Sequence, residues 1–171
     1  MNAVADEAGA SIGGIYRRFA NKEQLLRAIK DNVLARADAD QKRIADTAKT
    51  ADLRDAIAHY VLNRIQSLRN YSGVMREIFE GQHNDPVMEE RGRRSINLGI
   101  RIFRSVISPH RAEIVHDDPD LAIEMAFFLM NATFMRRVRT PASDQSFDHI
   151  DWDVLKTELR QILTLYLAGS G

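Results

Sequence analysis

Apolar residues return every three or four positions along nearly all of the 171 residues, which is the period of an amphipathic helix. Residues 21–38 open with Asn21 and, three positions on, Gln24, the spacing of a capping box. Leu25, Leu26, Ile29, Val33 and Leu34 then make one stripe. The small polar stretch at 45–52 predicts a loop, and Asp52 caps a second long helix marked by Leu53, Ile57, Val61, Ile65 and Leu68. That helix is expected to end near Asn70–Gly73, with a short helix over 74–82 stopping at Gly81. Asp85-Pro86 supplies an N-cap and a first helical proline for a helix over 85–107, and Asp118-Pro119 does the same for one reaching Arg139. The last helix runs from Trp152 to Gly169. No stretch alternates with the period of a strand, so the chain is predicted to be all-α.

Two of these helices have wide apolar faces. Leu121, Met125, Phe128, Ala132 and Met135 recur along the penultimate one, and Leu155, Leu159, Ile162 and Tyr166 along the last. Such faces need cover on more than one side. Both helices could be core helices of one subunit, or they could pair with their copies across a two-fold axis as a four-helix interface. The few remaining helices favour the second reading. It makes Leu121, Met125, Phe128, Ala132, Leu155, Leu159, Ile162 and Tyr166 the expected dimer interface.

Composition narrows the function. A chain that is 44% hydrophobic and 28% charged is globular rather than disordered. Having no cysteine, it has neither a disulfide framework nor a thiol nucleophile, which suits a reducing compartment. It shows no apolar run of about 20 residues and no signal-peptide pattern, and is read as cytoplasmic and free of membrane contact. The five histidines fall in no metal-binding or catalytic spacing, so no catalytic residue, metal or cofactor is expected. The acidic loop at 116–120 is accounted for as the start of a helix.

Lys+Arg and Asp+Glu balance at 24 each, so any affinity for a polyanion must be local. It is concentrated near the N-terminus. Between residues 17 and 30 stand Arg17, Arg18, Lys22, Arg27 and Lys30 against the single acid Glu23. Just before them, "VADEAGA" reads as a helix turning at Gly9, and "SIGGIYRRF" as a second short helix with Ser11 as its cap. Helix, glycine turn and helix is the pattern of a helix-turn-helix unit, whose second helix enters the major groove, and equally that of a plain structural corner.

Residues 3–30 together resemble the DNA-binding end of the TetR family of transcriptional regulators. The resemblance lies in an Ala-Gly-x-Ser turn, a recognition helix ending in Tyr-x-x-Phe, and a Lys-Glu-x-Leu-Leu helix after it. It implies that Ser11, Tyr16 and Lys22 hold the phosphate backbone and that Ile12, Gly13, Gly14 and Arg17 approach base edges. Arg17 alone among these can make a bidentate guanine contact. Arg18 joins the DNA-binding set, although Arg17 and Arg18 can also be read as an ordinary solvated face. Ile15 and Phe19 would be core residues of the head. Gly14 departs from the small hydroxyl or alanine usual there, which removes a contact and loosens the helix by about 1 kcal/mol. The sequence also opens at the second helix of the unit, so the head is expected to be incomplete, lacking the helix that braces the motif.

The resemblance further implies an all-α chain with a partial helix-turn-helix head at 1–30 and a ligand-binding and dimerisation domain at 31–171. Such a chain would be a ligand-responsive repressor, not an enzyme, acting as a homodimer whose grip on operator DNA is relieved by a small apolar effector. A pocket would draw on Tyr60, Met75, Phe79, Ile102, Phe103, Phe127 and Met130, with His59 as a polar handle. The same residues can also be read as plain core. Gly99 either opens room beside Phe103 or permits close packing. The alternative to a DNA-binding regulator is a dimerising, ligand-binding interaction protein that does not bind DNA by itself.

Overall fold

A computed structural model describes residues 18–80, 85–139 and 150–169. Five α-helices carry the architecture: α1 (Lys22–Thr47), α2 (Leu53–Glu80), α3 (Pro86–Ile107), α4 (Pro119–Arg139) and α5 (Trp152–Ala168). A 3-10 turn at Ser108–Glu113 joins α3 to α4, and no strand occurs among the described residues.

Short acidic and amide side chains start the helices, because they satisfy backbone N–H groups left open in the first turn. Asn21 accepts from Gln24 N–H at 2.9 Å, and the Gln24 side chain returns to Ala20 N–H at 3.1 Å. Asp52 accepts from Asp55 N–H, Asp85 from Val87 and Met88, Asp118 from Asp120 and Leu121, and Asp151 from Asp153 and Val154. Gly169 ends α5 with φ of 72° and ψ of −179°, a conformation nearly reserved for glycine. The end of α5 is then tied down by Val115 N–H on the Leu167 carbonyl at 2.9 Å.

Two expected boundaries are corrected. The loop expected from residue 45 is still helix through Thr47, since Ile44 is buried and its turn is anchored against α2. The break expected at Asn70–Gly73 does not occur, and α2 continues to Glu80. Gly73 has open space around it. Its helix cost of about 1 kcal/mol is outweighed once the next turn can bury Met75.

Packing follows the predicted stripe of α2, whereas Leu26 of the α1 stripe is exposed. Leu53, Ile57, Val61, Ile65 and Leu68 all turn inward from α2, the helix touched by every other one. Phe103 of α3 is fully buried. It meets Tyr60 edge-on at 4.8 Å between ring centres and Phe127 of α4 at 5.9 Å. Burial of each such side chain contributes roughly 1.5–3 kcal/mol. Near the N-terminal end of α1, Leu25 forms a separate small cluster with Phe19 and Ile29.

Candidate functional site

Three regions matter: the start of α1, a cavity in the helical body, and an apolar surface on α4 and α5. At the start of α1, Arg18 and Lys22 are both exposed, and Lys22 is the first residue of the helix. Backbone N–H groups and a lysine at a helix N-terminus are suited to phosphate. Phe19 is half-buried against Leu25 and Ile29, as a core residue of the head would be. Ser11, Ile12, Gly13, Gly14, Tyr16 and Arg17 lie outside the described residues.

α1 does not stop at residue 30. It crosses the expected domain boundary without a break and is fastened to α3 by a ladder of polar pairs. Arg27 meets Asp85 at 3.1 Å. Arg91 meets Asp31 at 3.0 Å and Asp38 at 2.8 Å. The Ser95 hydroxyl also donates to Asp38. Partial desolvation pushes the Asp85 carboxyl up. Hydrogen bonds from Met88, Arg27 and Val87, with the Arg27 charge, outweigh it and hold the group below the ordinary carboxylate range.

A cavity of about 50 Å³ opens where α1, α2, α3 and α4 meet. Leu34 and Gln41 of α1 face Gly92, Ser95 and Gly99 of α3 across it, and Ile96 stands exposed at the rim. Gly99 serves close approach: a Cβ there would lie 2.7 Å from Gln41 Oε1 and 3.1 Å from Phe127 Cζ. From α2 comes Arg64, whose Nη1 nitrogen is buried without a hydrogen-bond partner. Burial draws this guanidinium below the ordinary arginine range, with Tyr60 and Asp38 opposing. Burial also pushes the Tyr60 hydroxyl up to about 12, so it stays protonated as it donates to the Gly99 carbonyl at 3.4 Å.

Of the expected pocket residues, Met75 and Phe127 line this cavity. Tyr60, Phe103 and Met130 are packed into the core, and Ile102 is half-buried against it. His59 turns towards α1, where its Nε2 bonds the Ile44 carbonyl at 2.9 Å, so its polar edge is occupied by the fold. The Phe79 side chain lies outside the described residues. The sequence reading missed Arg64, Gln41 and Ser95. Arg64 had a signal, because it falls on the inward stripe between Val61 and Leu68.

On α4, Leu121, Met125, Phe128 and Ala132 are all exposed, Phe128 at 63%. On α5, Ile162 is 50% exposed and Tyr166 half-buried, while Leu155 and Leu159 point into their own subunit. They share the inward row with Leu163 and Leu167. Val154 and Leu165 stand exposed in their place.

No helix among the described residues is long and apolar enough to cross a membrane. Comparison with the curated proteins and with the solved structures finds no match. Residues 1–29 match the family model of bacterial regulatory proteins, tetR family, which supports a DNA-binding transcriptional regulator of that type.

Proposed function

We propose that this chain is a ligand-responsive transcriptional repressor that acts as a homodimer and releases operator DNA when a small molecule enters the helical body. The family match over residues 1–29 carries the reading. Its regulatory half is supported by the continuity of α1, which bears Lys22 at one end and the cavity residues Leu34 and Gln41 further along. A ligand that favours one spacing of α1 and α3 favours one placement of the head, and operator affinity shifts by that difference. A second copy is the occupant assigned to the exposed row Leu121, Met125, Phe128 and Ala132 with Ile162, since two such rows meet in a self-complementary contact.

Fluorescence anisotropy on the neighbouring intergenic DNA, across a salt series, tests this. Lys22→Ala is expected to weaken binding to all sequences and to flatten the salt slope by about one. Arg17→Ala is expected to relax specificity by about 1–3 kcal/mol. Equal loss on specific and random DNA would remove Arg17 as a base reader. Folded dimers that bind no DNA at any salt would leave a dimerising, ligand-binding interaction protein instead.

A further inference from the structure

Two arginines among the described residues, Arg64 and Arg137, hold a buried guanidinium nitrogen without a hydrogen-bond partner, and of the two Arg64 lines the cavity. Its Nη1 is enclosed without a partner, and a buried donor on a cation is costly to leave unsatisfied. Asp38, the carboxylate whose charge bears on Arg64, is already engaged, because it takes Arg91 at 2.8 Å, the Ser95 hydroxyl and Gln41 Nε2. Among the described residues that line the cavity none is acidic; the polar ones are Gln41, Arg64, Ser95 and Asn131. Opposite them lie Leu34, Leu68, Phe127 and the methionines Met75 and Met135. The described lining is therefore cationic at one point, neutral polar beside it and apolar opposite, and methionine walls can repack around a body larger than the present space.

We propose that this cavity binds a small apolar monocarboxylate, its anion pairing with Arg64 Nη1 and its body lying against Leu68, Phe127 and Met135. The assignment rests on the ligand-responsive reading of the same cavity and names the chemistry of the effector. A carboxylate supplies the acceptor that the protein does not. The paired ions are worth more inside the helical body than in water, because the surroundings are less polar.

The test uses the full chain with benzoate, hexanoate and octanoate, each beside its primary amide, by calorimetry and thermal shift. At least one acid is expected to bind roughly 10- to 100-fold tighter than its amide, the range for a hydrogen bond to a charged group. Arg64→Met should abolish that preference while the protein stays folded, since the change removes a buried donor that has no hydrogen-bond partner. Gly99→Ala, which narrows the cavity and keeps the arginine, should weaken acid and amide alike. The proposal is overturned if acid and amide bind equally, if Arg64→Met keeps the preference, or if no acid binds. Operator DNA in the same samples separates the two claims. Acid-selective binding that leaves operator affinity unchanged retains the site and removes the regulatory reading. Operator release by acid and amide alike does the reverse.

Discussion

If a second copy covers α4 as proposed, Phe128→Glu is expected to give monomers without harming the subunit. The Phe128 side chain is 63% exposed on α4. A phenylalanine buries roughly 200 Å² when covered, so about 125 Å² remains open for a partner copy. At ~25 cal/mol per Å² that area corresponds to about 3 kcal/mol per copy and, since a two-fold contact uses it twice, about 6 kcal/mol per dimer. Interface energies are not additive and association carries its own cost, so the expected loss is at least a hundredfold in the dimer dissociation constant. Light scattering coupled to size exclusion, over a tenfold concentration range, reads this directly. Thermal unfolding of the monomer should be little changed, because the ring was already in water. Leu159→Glu supplies the contrast. At 5% exposure it places a charge inside the subunit, and loss of fold is expected rather than clean monomers. A Phe128→Glu protein with the wild-type dimer mass would refute the argument, as would a wild type that is monomeric throughout.

Three further outcomes are expected. Phe103→Ala empties a position between Tyr60 and Phe127 and should cost about 3–5 kcal/mol in urea unfolding with an unchanged m-value; a loss under 1 kcal/mol would show that the aromatic cluster collapses freely. Gly169→Ala should cost about 1–3 kcal/mol, and Gly169→Asn should not recover it, because φ of 72° with ψ of −179° lies outside the left-handed helical region that asparagine tolerates. Full recovery by asparagine would count against that assignment. The α1–α3 junction should loosen in acid. Asp85 titrates below its unfolded value, so its contribution is complete above about pH 4 and disappears as pH falls through the folded value. Asp85→Asn keeps the cap but drops the ion pair with Arg27; hydrogen exchange in the first turn of α3 should then lose much of its acid dependence, and an unaltered profile would show that Asp85 is not its source.

The sequence revealed helix starts better than helix ends. Asn21, Asp52, Asp85 and Asp118 act within their own first turns, so local chemistry is enough to find them. Gly73 misled because its cost is also local, whereas the burial of Met75 that outweighs it is tertiary. The rows on α5 show a different limit. Leu155 and Ile162 look equally apolar in sequence, and only the placement of α2 and α4 decides which faces inward. Arg64 carries no local mark, since it stands among the polar residues Asn63, Gln66 and Ser67 as a solvated arginine would. Its register, three residues after Val61 and four before Leu68 on a stripe that is otherwise buried, was the evidence to weigh.

The 26 residues of α1 also have a mechanical meaning. At 1.5 Å of rise per residue the helix is about 39 Å long, and Lys22 stands about 24 Å from Asp38. Asp38, held by Arg91 and Ser95, is the tie to α3 nearest the cavity residue Gln41 one turn beyond it, while Asp31 and Arg27 are tied to α3 nearer Lys22. With the tied start of α3 moving alongside α1, a rigid tilt of about 5° about Asp38 would carry Lys22 by about 2 Å. In a repressor of the kind proposed, that is enough to stretch a lysine–phosphate hydrogen bond of about 2.9 Å past the limit of useful contact. A displacement too small to disturb the packing at Gln41 is thus magnified at the far end of one unbroken helix.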